Sequence, residues 1–418
     1  EGEEVKKVKH VQSTGIGVRV VLSQKVGFSS TTALEPTAIE ACVEHAIKQA
    51  RVSEHDPNFS GLPALSKQRY TKPEKIFDPR IIDFLKGGSD DAIEFCRAML
   101  TGMHEYEVRE NVTCRPTEGS FAAAHDETFI VNSQGIELSD TGTYISAGIS
   151  IVAREDKGEE TSGWEGKVSR MLSEMDFEWI GREAVKLAVD GLGGKKMETK
   201  EVPVIFSPRA VQSLFAYTVI PQLSAENVQR KQSPYYGKKG QKIASENLSI
   251  TDDGIMPLGV NSRTMDGEGV ISEATPLVDN GVLRNFLYDS YTAGKDKVKS
   301  TGNAIRGFDN LPAPGPTNFV IGGVSAPKEE MIAELAEGLF INDVIGAHTA
   351  SRASGDFSVV AQNAFGIKKG ELYPVKQAML AGNMQEVLKH VELVGTDTRQ
   401  IYTVVSPSVL VSKVQVVS

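Results

Sequence analysis

The chain has 418 residues, with 45 Lys plus Arg against 55 Asp plus Glu, a net charge of −10. That acidic balance lacks the basic footprint that phosphate neutralisation demands and speaks against direct nucleic-acid binding. A content of 40% hydrophobic and 24% charged residues excludes a disordered or fibrous chain, and the length predicts two domains.

The opening Glu-Gly-Glu-Glu-Val-Lys-Lys has no apolar stretch of a signal peptide and no initiating Met, so a short leader or first element is expected ahead of it. From Gly15 to Thr32 two strand-like runs with a turn near Gln24 and Lys25 predict a hairpin. A helix follows over Pro36–Arg51, with Ala38, Ile39, Cys42, Val43 and Ile47 at helical spacing. Glu54 to Lys75, rich in Pro and polar groups, reads as an extended surface segment. A second helix is predicted over Asp90–Tyr106. Cys42 and Cys96 fall on the apolar faces of these helices, where a buried structural thiol is the expected role.

Asn111 to Val168 is strand-rich and punctuated by turns at Asn132 to Gly135 and Glu155 to Gly158, which predicts an antiparallel meander. A helix over Phe177–Asp190 closes this half, stopped by Gly191-Leu192-Gly193-Gly194. Beyond it, Val202–Phe206 reads as a strand, and Ser207-Pro208 as the N-cap and first turn of a helix that Pro221 should end. The remainder reads as short strands and tight turns, with one helix near Lys328 to Gly338 and two closing strands split at Ser406-Pro407. The expected fold class is α+β: an N-terminal α/β domain (1–192) containing the meander, then a C-terminal β-rich domain (197–418) of curved antiparallel sheets. The longest uncharged run, Asn310 to Pro327, carries four prolines, which no membrane-spanning helix tolerates.

Little chemistry is visible in the residues themselves. No Gly-x-Ser-x-Gly elbow, phosphate-binding loop or dinucleotide fingerprint occurs. The three cysteines are widely spaced without CxxC, which fits a reducing cytoplasm and neither a disulfide framework nor a zinc knuckle. His104-Glu105 lacks a second His four or five residues on, and His45, His55 and His348 are isolated. Asp252-Asp253-Gly254 and Asp266-Gly267-Glu268-Gly269 are either turn-forming pairs or a hard-cation cluster, although their spacing fits no Ca²⁺ loop.

A series of phrases in the C-terminal half resembles the TldD/PmbA family, once called modulators of DNA gyrase. They are VPVIFSPRAVQSL (from Val202), GKKGQKIASENLSITDDG (from Gly237), SRTMDGEGV (from Ser262), LVDNGVLRNFLYDSYTAGK (from Leu277), STGNAIRG (from Ser300), SRASGDFSVVAQNAFGIKKGELYPV (from Ser351) and LVGTD (from Leu393). The opening hairpin resembles the family's more loosely. That family pairs a TldD kind of subunit, with a His-Glu-x-x-x-His zinc motif, and a TldE (PmbA) kind without it. By the resemblance the motif positions fall on Ala216, Tyr217 and Pro221. Ala and Pro offer no ligand atom, and Tyr, with a pKa of about 10, is a poor base. No His or Cys occurs between Asp126 and Ala347. The resemblance therefore implies a TldE-like subunit with no catalytic residue, metal or cofactor of its own, zinc being expected in a TldD-like partner. It implies a cytoplasmic heterodimer, or a homodimer, acting on unfolded or small peptides, with Ser354, Gly355, Asp356 and Phe357 as the expected substrate-binding segment. Two alternatives stand beside it: a metallopeptidase in its own right with ligands drawn from His45, His104 and His348, and a peptide-binding protein that modulates a DNA enzyme.

Overall fold

The computed structural model describes residues 4–87, 90–156, 158–376 and 378–417. The first three residues of the opening and Lys157 of the predicted turn lie outside them. The chain begins with the hairpin β1 (Ile16–Leu22) and β2 (Lys25–Thr31), whose turn is Ser23-Gln24, both at positive φ. That is the backbone a two-residue hairpin loop requires, one residue earlier than expected. Helix α1 (Pro36–Val52) lays Cys42, Ala46 and Ala50 on the hairpin. Residues 54–75 contain no helix or strand. Helix α2 (Pro79–Gly87) was not foreseen, although Asp78-Pro79 announces it: the Asp78 carboxylate accepts from Arg80 N at 3.0 Å, and Pro79 occupies the first turn. Helix α3 (Asp90–His104) follows. Cys42 is buried and Cys96 half-buried, and desolvation pushes the Cys96 thiol up, as suits an inert packing group.

Strands β3 (Val112–Val131), β4 (Glu137–Glu155) and β5 (Glu160–Ser169) form the expected antiparallel meander. Helix α4 (Phe177–Asp190) opens on Asp176, whose side chain accepts from Trp179 N, and ends at Gly191. It buries Ile180, Ala184, Val185 and Ala188 against Ile145, Ile149 and Ile151 of β4. Helices α3 and α4 touch through glycines: a Cβ on Gly102 would overlap Glu178 O, and one on Gly181 would overlap Met99 O.

The second half begins with β6 (Lys200–Phe206), α5 (Pro208–Phe215), α6 (Val219–Gln222), α7 (Ala225–Gln229), β7 (Leu248–Asp253), β8 (Ala274–Asp279), β9 (Val282–Leu283) and α8 (Ser290–Asp296). It continues with β10 (Ala304–Ile305), β11 (Ala313–Pro314), β12 (Phe319–Gly323), α9 (Lys328–Glu334), β13 (Glu337–Ile345), β14 (Asp356–Lys368) and β15 (Glu371–Val375). The last elements are β16 (Met379–Asn383), α10 (Met384–Lys389), β17 (Val391–Val394), β18 (Arg399–Ile401), β19 (Val404–Ser406) and β20 (Val409–Val417). One sheet runs β18-β19-β12-β7-β8-β9. In the other, β13, β6, β20, β16 and β14 follow one another and β14 pairs back on β13, closing a small barrel. The architecture is α+β as expected, and the sheets include two parallel pairings, β12 with β19 and β6 with β13. The hairpin turns at Asn280-Gly281 and Lys369-Gly370 both have positive φ at the two central residues.

Two helix boundaries differ from expectation. The helix near Lys328 stops at Glu334, because Glu337 already pairs in the barrel. The helix after Ser207 does not run to Pro221. Ser207 Oγ caps it as foreseen, accepting from Arg209 N and Ala210 N, but it ends at Phe215. Thr218 Oγ1 donates to Leu214 O at 2.7 Å, and a separate turn, α6, holds Pro221 inside it. In so short a helix the missing proline N–H leaves no hydrogen bond broken.

One ion network joins the meander to the second half. Glu165 of β5 is buried and accepts from Arg209 at 2.5 Å and from Arg399 at 2.9 and 3.1 Å. The Arg209 guanidinium lies 4.1 Å over the Trp164 ring and that of Arg399 lies 5.0 Å over Trp179.

Candidate functional site

Ala216 and Tyr217 lie in the break between α5 and α6, and Pro221 in α6. The three positions therefore do not share one continuous helix face. The ring of Tyr217 meets His348 edge-on, with centroids 6.4 Å apart, where the turn Ala347–Thr349 leads out of β13. Ala216 and Pro221 present only hydrocarbon, so the side chains here do not fit a zinc ion, and no hydrolytic step is assigned to them. His45, His104 and His348 sit on α1, at the end of α3 and in the turn after β13, all exposed. Among the described residues no three His, Cys, Asp or Glu side chains converge to hold a metal.

The segment Ser354–Phe357 comes to the same place. Ser351 to Asp356 forms a tight loop closed by Gly355 N donating to Ser351 O at 2.7 Å, with Gly355 at φ +78. A Cβ on Gly355 would press on the side-chain amides of Gln222 and Gln385, so this loop lies directly over α6. Gln385 Nε2 donates to Gln222 Oε1 at 2.8 Å, while the fully buried Gln222 leaves its own Nε2 without an acceptor. Ser354 and Asp356 are exposed on the loop and Phe357 points into the core. Asn383 Nδ2 donates to Ser354 O and to Asp356 Oδ1 at 2.9 and 2.8 Å, and Ser354 Oγ to Asp356 Oδ2 at 2.6 Å. These bonds from Asn383 and Ser354 hold the Asp356 carboxyl below its usual range. Gln222, Asn383 and Gln385 were not singled out in the sequence. Their one signal is that amide residues stand beside Pro221 and at the cap of α10.

The acidic clusters are turn organisers. Asp252 accepts from Thr317 N, Thr317 Oγ1 and Asn303 Nδ2 at 2.8, 2.6 and 2.6 Å. Asp266 accepts from Glu268 N, Val270 N and Ala304 N at 2.9, 2.9 and 3.0 Å. Glu268 pairs with Arg19 at 2.8 Å and accepts from Ser290 Oγ at 2.6 Å. Burial pushes the Asp252 carboxyl up to about 6, and burial with the nearby Glu268 pushes Asp266 up to about 7, against the pull of their hydrogen-bond donors. Both folded values lie above the usual 3.8, so these groups hold protons in the folded chain that the unfolded chain has released. Their contribution to stability is full below about pH 4 and is lost as pH rises through 6 to 7. Asp266→Asn should remove its share of that slope, about 1–3 kcal/mol between pH 5 and 8 in urea unfolding. An unchanged slope would show that Asp266 does not titrate there.

Residues 1–50, 84–192 and 199–418 match, in order, the profiles described as PmbA/TldA metallopeptidase domain 1, central domain and C-terminal domain. An uncharacterized protein of Methanocaldococcus jannaschii is 33% identical over 410 residues, covering 98% of this chain and 91% of the relative. Metalloprotease PmbA of Escherichia coli O157:H7 is 26% identical, over 99% of this chain and 88% of its own. The crystal structure of TldE from Thermococcus kodakarensis superposes with a TM-score of 0.91 at 26% identity, covering 100% of this chain and 93% of that one. No helix among the described residues is long and apolar enough to cross a membrane. With its profiles spanning most of the chain and a relative at 33% identity, this protein belongs to the TldD/PmbA metallopeptidase family.

Proposed function

We propose that this chain is the non-catalytic, TldE-like subunit of a cytoplasmic two-subunit metallopeptidase acting on unfolded or small peptides. The observation that supports this reading is the chemistry at the motif positions: Ala216, Tyr217 and Pro221 supply neither ligand nor base, in a family whose relatives carry metalloprotease names. Zinc and the proton-accepting carboxylate would then come from a TldD-like partner. This chain's part is to wall the chamber and hold the peptide, with Ser354 and Asp356 on the exposed loop over α6 as the side chains that reach it. Strand edges nearby offer main-chain hydrogen bonds that do not depend on peptide sequence.

The test is reconstitution. The purified chain is expected to carry no stoichiometric zinc and to leave an unfolded peptide intact, whereas mixing with a subunit bearing His-Glu-x-x-x-His gives hydrolysis that a chelator abolishes. Stoichiometric zinc in this chain, or chelator-sensitive hydrolysis by it alone, would overturn the reading. In the reconstituted pair, Ser354→Ala with Asp356→Ala should raise KM about 3- to 10-fold, the worth of one or two hydrogen bonds, and leave kcat in place.

A further inference from the structure

Between the meander and the second half lies a cleft of about 240 Å³, lined from one side by Asp126, Asp140, Gly142, Tyr144 and Arg170 and from the other by Arg263, Asp266 and Arg306. This volume is far more than one water needs and a little under that of drug-sized ligand pockets, which suits a small ion. Its hydrogen-bond accounting does not close.

Arg170 is almost wholly buried, with its guanidinium 3.9 Å over the Tyr144 ring. Its Nη2 donates to Ser262 O at 3.1 Å and its Nε to Gly259 O at 3.4 Å, while Nη1 has no hydrogen-bond acceptor and pairs loosely with Asp126 Oδ1 at 3.9 Å. The Nε and Nη2 of Arg263 are buried without acceptors, and Asp266, Asp252 and Asp140 attract it without accepting a hydrogen bond from these two atoms. Arg306 donates to Gly17 O at 3.3 Å and lies 5.8 Å over the Phe28 ring. The acids beside them balance the charge from a distance, while other donors hold their oxygens. Asp140 accepts from Thr141 N and Thr264 N at 3.0 and 2.5 Å, and both oxygens of Asp266 are held by backbone amides.

Buried donors without acceptors are rare, and several of them converge on this cleft. An oxyanion accepts from several such donors at once, in the geometry guanidinium groups favour. We propose that this cleft binds a small oxyanion, a carboxylate or a phosphate, held between Arg170 and Arg263, and that the bound anion ties the meander to the second half of the molecule. The inference is independent of the peptidase reading.

The test uses the full chain, with succinate and inorganic phosphate as probes and sodium chloride at matched ionic strength as control, read by calorimetric titration and Tm. Binding by succinate alone identifies an organic acid site, binding by phosphate alone a phosphate site, and binding by both the shared chemistry; each is expected to raise Tm by several degrees. Arg263→Gln should weaken binding about tenfold or more, with the Tm of the ligand-free variant as the check that it folds. Gly142→Ala gives the second arm: its Cβ would displace the Arg170 head without changing any charge, and binding should weaken likewise. If neither probe exceeds the chloride control, or if the shift is equal in wild type and both variants, as a general salt effect would be, the proposal fails.

Discussion

Glu165→Ala is expected to lower the unfolding free energy by about 3–5 kcal/mol, because it strands Arg209 in the interior. The side chains of Glu165 and Arg209 are 4% and 6% exposed, and that of Arg399 is 33% exposed. Arg399 can turn to water, whereas Arg209 cannot; desolvation already pulls its guanidinium down, with Glu165 as the main opposing influence. Asp343 lies close enough to act on Arg209 but holds Ser213 Oγ at 2.8 Å and Val344 N at 2.7 Å, and so compensates only in part. The cost belongs to breaking the pair rather than to lacking it, so Glu165→Ala with Arg209→Met should recover most of the loss. Urea unfolding of the two singles and the double measures this. A double variant as unstable as Glu165→Ala would mean that the cation–π stack of Arg209 on Trp164 carries the stability instead.

Gly181→Ala is expected to destabilise the chain by about 2–3 kcal/mol, although alanine is the better helix former by about 1 kcal/mol. The added methyl would fall on the backbone carbonyl of Met99, which no rotamer change can move aside, so α3 and α4 must separate. Met99 and Ile180 are each at most 1% exposed, so that separation opens a packed core rather than a surface. Gly102→Ala strikes the same seam from the other helix. The double variant should lose less than the sum, because a single separation relieves both overlaps. Additive losses in thermal or urea unfolding would show two independent clashes instead.

Local chemistry carried much of the fold into the sequence. Helix α4 has the predicted bounds because Asp176 caps its start and Gly191 follows its end. The meander was legible because Asn132 to Gly135 is a turn between alternating runs; in the fold the Asn132 carboxamide accepts from Gln134 N and Ile136 N. Helix α2 was missed for its brevity, despite the Asp-Pro start. The interruption between α5 and α6 had no outward mark, since a threonine bonding back to its own helix looks like any other threonine. Barrel closure was beyond local reading altogether: β6 pairs with β20 across some two hundred residues. The candidate site divides the same way. That Ala216 and Pro221 offer no ligand atom can be read off one segment, whereas the meeting of Gln222, Gln385 and the Ser354 loop depends on how distant strands pair.

That long-range closure also has a consequence for how the protein is made. Strand β20 lies in the barrel between β6 and β16, and Phe206 faces Val409 in their ladder. On the ribosome, β6 must therefore wait with one edge open until residues 409–417 have emerged, while the meander and α4, complete by Asp190, can already fold. The nascent chain is thus a finished front half trailing an exposed apolar strand, Val202 to Phe206, for the whole time the rest is synthesised. Chaperone engagement during that interval should concentrate on the open side of β6 and end once β20 has emerged and paired with it.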